Sequence, residues 1–334
     1  MNRKWWIVTV LGLAAALALE TPPALACPRH MRDNALAPSC DRACLEDSAH
    51  QYLTALLRHD PSLVPFAPCV KFTENNVALS IGDGLWGTIS AEGRPDTQLM
   101  FADPLAGEVG FFGVVSEHGV PGFYAMRLRI VQRRVAEVET LVNPVPPRPP
   151  GTAPSPFATK GPDELRHFPA MLQVEPANER VSRERLIDIA NGYFSTLQQN
   201  DGTLFAPFDP ACSRMENGNV SAGDPNGSYP AARLSCGEQF KRGNYRFDSR
   251  VRDRAFLVVD ETRQLVLARA FLDHDAALTH YELPDGRRIT SPFKTPSTLC
   301  MLELFKIRDG KIFRVEVVYI AVPYHMPSAW QSTE

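Results

Sequence analysis

Apolar residues recur at helical spacing in two places along the chain, and each place is followed by a long run of strand-like segments. The first stripe is Leu45, Ala49, Tyr52, Leu53, Leu56 and Leu57, approached through Pro38-Ser39; the second is Leu186, Ala190, Tyr193, Phe194 and Leu197, approached through Ser182. That spacing, with a Ser ahead of each stripe, predicts two amphipathic helices with an aromatic at the same turn. They stop at His59-Asp60-Pro61 and at Asn200-Asp201-Gly202, and the stretches that follow, Phe66 to Asn75 and Phe208 to Asn217, match through Glu74-Asn75 and Glu216-Asn217. Hairpins are predicted for Leu99 to Asp103 with Val109 to His118, and for Phe256 to Asp260 with Leu265 to His274, both second strands ending in an acid and a His. The last strands also match, Leu128-Arg-Ile130 to Glu139 with Phe305-Lys-Ile307 to Glu316, the latter pair turning at Asp309-Gly310.

The chain therefore reads as two copies of one α+β unit, a helix followed by an antiparallel meander. Between them, Asn143 to Pro156 is so rich in proline that it predicts an extended, semi-rigid connection. The expected organisation is a first domain over 40–145, a linker over 146–180 and a second domain over 181–327. A length of 334 residues suits two domains of about 100 to 200 each.

Charge and composition narrow the function. With 35 Lys+Arg against 38 Asp+Glu the net charge is −3, which offers nucleic acid no positive field. Asn2-Arg3-Lys4, the apolar run Trp5 to Leu19 and the small-residue pattern Ala24-Leu25-Ala26 predict a signal peptide over 1–26, hence a periplasmic or secreted protein without a membrane span after cleavage. An uncleaved anchor and a lipoprotein carried on Cys27 are the other readings of that segment. Export makes disulfides the default for the seven cysteines. Cys212 with Cys236 is the expected bridge, because the two flank the Gly-, Ser- and Asn-rich stretch Glu216 to Ser228; Cys40 with Cys44 is awkward if one helical turn separates them. The cysteine spacings fit no common zinc pattern, so no metal is expected.

A leading helix with a Tyr, a short connection and strands closing on Leu304-Phe-Lys-Ile-Arg-Asp-Gly-Lys-Ile-Phe-Arg-Val-Glu316 resemble the SnoaL-like branch of the nuclear transport factor two-like superfamily, over about 40–145 and 180–325. The block Ile81-Gly-Asp-Gly-Leu-Trp-Gly-Thr88 resembles secreted members of the same superfamily. The resemblance implies cone-shaped domains, each a curved sheet around its helices with an apolar pocket at the mouth. It also implies acid/base chemistry on a hydrophobic small molecule with no metal or organic cofactor. Superfamily members include ketosteroid isomerase, scytalone dehydratase, polyketide cyclases and lyases of lignin-derived diaryl compounds.

On this basis the expected function is a lyase or isomerase acting on a ring-containing molecule, lignin-derived aromatics being one substrate class. A non-catalytic binding module and a structural pseudo-dimer are the rivals. Glu216 could point into the cone or sit in a solvated turn, and Glu74 is its counterpart in the first copy. His274 shares a strand face with Val266, Ala268, Ala270 and Leu272, which suits a general base or a strand-end cap; His118 beside Gly119 looks like a turn. Tyr245, Phe247, Ser249 and Val251 alternate against Arg246, Asp248, Arg250 and Arg252, predicting one strand with a charged face from which Arg252 and Asp253 could reach the pocket. The candidate catalytic set is thus Glu216, His274, Arg252, Asp253 and Tyr245, and the candidate substrate-binding set is Tyr193, Phe271, Glu303, Tyr324 and Trp86. The second copy is the expected active one, held face to face with the first as an internal pseudo-dimer that could itself form homo-oligomers.

Overall fold

A computed structural model describes residues 40–147, 161–227, 229–283 and 286–331. The expected signal peptide, Cys27, the Pro38-Ser39 approach and most of the proline-rich run lie outside the described residues.

Helix α1 (Arg42–Leu57) starts at Asp41, whose carboxylate accepts the Cys44 N–H, and buries Leu45, Ala49, Tyr52, Leu53 and Leu56. Cys40 precedes that cap, so it is not on the helix, and the Cys40–Cys44 disulfide closes over a Cα separation of 5.2 Å. The spacing looked awkward only because both residues were assigned to one turn. The chain continues through β1 (Phe66–Glu74), β2 (Val77–Leu79), a short helix α2 (Leu85–Thr88), β3 (Ile89–Glu92), β4 (Leu99–Asp103), β5 (Glu108–Glu117), β6 (Val120–Val131) and β7 (Arg134–Pro144). These strands form a seven-stranded sheet in the order β2-β1-β7-β6-β5-β3, with β4 also on β5. Gly110 on β5 is required by close packing: a Cβ there would stand 2.2 Å from the Phe101 ring.

After single turns at Pro162–Glu164 and Pro169–Leu172 come α3 (Arg183–Gln199), β8 (Phe208–Glu216), β9 (Asn219–Ala222), α4 (Cys236–Lys241), β10 (Arg250–Asp260), β11 (Leu265–His274), β12 (His280–Glu282), β13 (Arg288–Thr290), β14 (Ser297–Arg308) and β15 (Lys311–Val322). The second sheet runs β10-β11-β14-β15-β8-β9, and β12-β13 stands apart as a hairpin. In both sheets the strand after the first helix pairs in parallel with the last strand, β1 with β7 and β8 with β15. The rest of each sheet is antiparallel. The predicted strand from Tyr245 to Val251 is corrected: Arg242 to Phe247 are turn, Asp248 donates its N–H to the Tyr245 carbonyl, and β10 starts only at Arg250. Gly243, at φ +63°, turns the chain out of α4 and breaks the alternation.

Alternation along β11 explains the layering. Val266, Ala268, Ala270 and Leu272 pack toward α3, whereas Leu265, Leu267 and Phe271 pack into an apolar layer shared with Phe101, Phe112 and Phe123 of the first sheet. Leu165 and Met171, from the segment between the two halves, fill the same layer. Both sheets belong to one compact unit. At its rim two ion pairs are exchanged reciprocally: Arg42 of α1 grips Asp260 at 2.8 and 2.7 Å, and Arg183 of α3 grips Asp103 at 3.0 and 2.6 Å. Beyond β15 the chain crosses to the first sheet, where Trp330 donates to Thr73 Oγ1 and lies under Lys71 and Arg127 at 4.4 and 4.7 Å.

The Cys212–Cys236 disulfide forms as expected, tying β8 to the start of α4 across a sequence separation of 24. Cutting a loop of that length releases roughly 3 kcal/mol of unfolded-chain entropy. Cys212→Ser with Cys236→Ser should lower the urea midpoint accordingly, and an unchanged midpoint would show that the native contacts hold this loop unaided.

Candidate functional site

The second half encloses a cavity of about 270 Å³ between the α3 face of its sheet and the loops around α4. Its floor follows from register. Glu216, Val317 and Glu303 lie side by side across β8, β15 and β14, and Arg214 is two residues before Glu216 on the same face. Three polar residues thus converge on a wall otherwise made by Val317, Leu272, Leu299, Met301 and aromatic rings.

Arg214 organises one end. Its guanidinium is buried, donates to Tyr193 Oη at 3.2 Å, Gln239 Oε1 at 2.8 Å, Ser221 Oγ at 3.1 Å and the Tyr245 hydroxyl, and stands 3.2 Å from Glu216. Gln239 is fixed in turn by donating to the carbonyls of Ser221 and Ala231. Burial works against the Arg214 charge, but Glu216 and the two tyrosine oxygens outweigh it and hold the guanidinium firmly protonated.

Glu303 is the chemically distinctive group. It is 3% exposed and makes no ion pair among the described residues; burial pushes its carboxyl up to about 8, opposed by the more distant Arg214 charge and by hydrogen bonding with Tyr193. The same Tyr193 hydroxyl accepts from Arg214, so it links the cation to the acid. A carboxyl of this kind holds its proton at neutral pH and can hand it over at little cost.

At the other end His274 Nε2 stands 2.9 Å from Asp248 Oδ1, both side chains almost fully buried. Burial raises the Asp248 carboxyl, with His274 acting in the opposite sense. Phe293 stacks on the His274 ring with centroids 3.5 Å apart and planes at 17°. Phe293 belongs to residues 275–296, which join β11 to β14 and carry the β12-β13 hairpin. In the first half the matching β5-β6 connection is only His118-Gly119, both at positive φ, and His118 is exposed. The longer connection lies over the cavity through Phe293, Tyr281 packed on Phe247, and the Tyr281 hydroxyl donating to the Asn244 carbonyl.

A family profile described as a domain of unknown function, DUF8021, matches residues 179–319, the part of the chain that holds the cavity. No curated protein matches by sequence. Among solved structures, a Bacillus subtilis protein provisionally named an isomerase is similar at 12% identity over 41% of this chain and 87% of that one, with a TM-score of 0.28. AusH from Aspergillus nidulans is similar at 13% identity over 46% of this chain and 93% of that one, also at 0.28. A de novo designed protein with a curved β-sheet is similar at 12% identity over 42% and 88%, at 0.23.

The expected residues divide cleanly. Glu216, His274, Tyr245, Tyr193 and Glu303 all border the cavity. Arg252 and Asp253 do not: Arg252 turns to the inter-sheet side, pairing with Asp273 at 2.9 Å and Asp253 at 2.6 Å over the Phe271 ring. Phe271 is itself in the apolar layer between the sheets, because its odd position on β11 faces away from α3. Tyr324 is 38% exposed and stacks on His325 beyond the last strand. Trp86 is core in the first half, edge-on to Tyr52 at 5.2 Å. Arg214, Gln239 and Asp248 were not singled out as site residues. The cue for Arg214 is its position, a charged residue two before Glu216 where the similar stretch ending at Glu74 has Phe72.

The covering segment makes a direct prediction. Met301→Cys places a thiol on the cavity wall, while its neighbour Cys300 is buried on the opposite face with its own thiol pushed up to about 12 by burial. If residues 275–296 lift independently, the introduced thiol should react with dithionitrobenzoate about tenfold or more faster than Cys300, and Phe293→Ala should accelerate it further. Equal rates at the two positions would mean that the cavity opens only on global unfolding.

Proposed function

We propose that the protein is an exported, cofactor-independent acid/base enzyme, a lyase or isomerase whose active site is the cavity of the second half. Glu303 carries this reading, as an isolated buried carboxyl with raised proton affinity on the wall of an otherwise apolar cavity. Glu303 gives its proton to the bound molecule, and Arg214 with Tyr193 stabilises negative charge that develops nearby. If the Glu303 carboxylate then takes a proton back from a second atom, the net change is isomerisation; if the protonated oxygen departs with its bonding pair and that carboxylate takes the proton from the adjacent carbon, it is elimination, and in both cases the acid form is restored. The proposed substrates are ring-containing molecules, lignin-derived aromatics among them.

The two halves are read as tandem cones packed as an internal pseudo-dimer, of which one is active. The shared strand order and the exchanged Arg42–Asp260 and Arg183–Asp103 pairs support this. So does the substitution of the site: across β1, β7 and β6 the register line is Glu74, Thr140 and Met126, so Met126 stands where the second half has Glu303. Phe72 stands where it has Arg214, and both are buried in the first core. Glu74 remains, its carboxyl pushed up to about 7 by burial, with the hydrogen bond from the Leu85 N–H acting in the opposite sense. The Cys40–Cys44 and Cys212–Cys236 disulfides, together with a disulfide-bonded Cys69, support export.

The test is a thermal-shift screen against steroids, polyketide-like phenols and lignin-derived diaryl compounds, each stabilising compound being incubated and followed by mass spectrometry. A stabiliser whose mass or isomer composition changes supports the enzyme. Stabilisation without chemical change would replace it with a carrier.

A further inference from the structure

The end of the cavity away from Arg214 holds buried polar atoms whose hydrogen bonding the protein itself leaves incomplete. His274 Nδ1 has no hydrogen-bond partner, while Asp248 Oδ1 and His274 Nε2 face only each other, 2.9 Å apart, and the two side chains are 2% and 1% exposed. Buried polar atoms with incomplete hydrogen bonding are costly, so the arrangement favours a ligand that satisfies them. Flat walls flank the pair: Phe293 stacked on His274, and Phe247 with its ring 5.4 Å from Phe293.

We infer that Asp248 and His274 form a recognition subsite for the hydroxyl of a neutral planar aromatic ring, that is, a phenol. The chemistry selects among oxygen and nitrogen functions. A hydroxyl can donate to Asp248 and accept from a ring N–H of His274 at once, whereas a ketone or ether only accepts. A carboxylate would bring its charge against Asp248, and an ammonium, which only donates, would leave the histidine N–H without an acceptor. The aromatic walls admit a flat body more readily than a puckered one. This inference rests on the reading of the cavity as a small-molecule site, and it adds which part of the molecule is read and where.

The experiment compares 2-naphthol with 2-methylnaphthalene, which has the same ring system and a methyl in place of the hydroxyl, by fluorescence titration of the full protein. Wild type should prefer the naphthol by about tenfold or more, corresponding to one well-made pair of hydrogen bonds. His274→Phe and Asp248→Leu should each shrink the preference to about twofold while keeping the affinity for 2-methylnaphthalene, which certifies an intact cavity. Glu303→Gln should leave the preference as it is. Equal affinity of wild type for the two probes overturns the subsite without any variant being needed. A preference that survives at positions 274 and 248 but vanishes in Glu303→Gln also overturns it, placing the hydroxyl at the Arg214 end and leaving the cavity reading intact. Failure of both probes to bind overturns the cavity reading and the subsite together.

Discussion

Glu303→Gln should abolish turnover while sparing ligand binding. The amide keeps the shape and most of the polarity of the carboxyl, so Tyr193 retains a partner and the cavity wall is undisturbed. What is lost is a transferable proton. Removal of a positioned general acid or base costs about 10² to 10⁴ in rate, and here no second carboxyl of comparable isolation shares that wall. Because Glu303 is held up to about 8 by burial, the wild-type rate should be flat through neutrality and fall above about pH 8, when the acid form is lost. The variant's residual rate should show no such fall. Steady-state kinetics on the first substrate from the screen, with parallel binding titrations, decides it. A variant that turns over within a few-fold of wild type would remove Glu303 from the chemistry.

The same group leaves a mark on stability that needs no substrate. Its folded-state proton affinity lies above the ordinary carboxyl value of 4.5, so between about pH 4.5 and 8 the folded protein binds a proton that the unfolded chain has released. Stability is therefore greatest at the acid end of that window and declines as pH rises through it, by an amount on the order of a few kcal/mol. Glu108, pushed up to about 8 by burial beside Arg127, acts in the same sense, as does Glu74 at about 7. Urea midpoints measured from pH 5 to pH 8 should fall in wild type and fall less in Glu303→Gln. Identical slopes would show that Glu303 is ionised in the folded protein at neutral pH.

Local patterning carried far into the fold. The helical stripes of α1 and α3, the hairpins ending at His118 and His274, and the Asp309-Gly310 turn could all be read from period and turn chemistry, because each is fixed by residues close in sequence. Placement of site residues succeeded where strict alternation applied, as for His274 facing Leu272's side of β11. It failed for Phe271 and Arg252, whose face is an interface with the other half. A residue on a doubly covered sheet looks equally buried from either side, and only the second sheet's position tells which layer it enters. The turn at Arg242 to Phe247 was missed for a different reason. Tyr245, Phe247, Ser249 and Val251 alternate well enough to mimic a strand, and Gly243 at positive φ was the one sign against it. Arg214 escaped attention because its partners, Gln239 and Tyr245, come from elements whose approach depends on the Cys212–Cys236 bridge and the fold as a whole.

Arg214→Leu should be the most destabilising single change at the site, by about 3 to 5 kcal/mol, because it strands every group that the guanidinium now holds. Ser221, Tyr193, Gln239 and Tyr245 each accept one of its N–H groups, and Glu216 pairs with it at 3.2 Å. The face of the cation also lies 4.9 Å from the Tyr245 ring centroid, so packing is lost with the charge. Arg214→Lys should rescue little, since an ammonium cannot span acceptors on three sides with the geometry of a planar fork. The distinguishing result is a cycle: Gln239→Leu removes the neutral acceptor that Arg214→Leu strands, so the double variant should be more stable than the sum of the two single losses implies. Urea denaturation followed by tryptophan fluorescence, with the disulfide verified intact by mass spectrometry, measures all three. Strict additivity, or a loss below about 1 kcal/mol for Arg214→Leu, would mean that water replaces the guanidinium without cost. The cavity would then be a solvated cleft, in which burial could not hold Glu303 protonated.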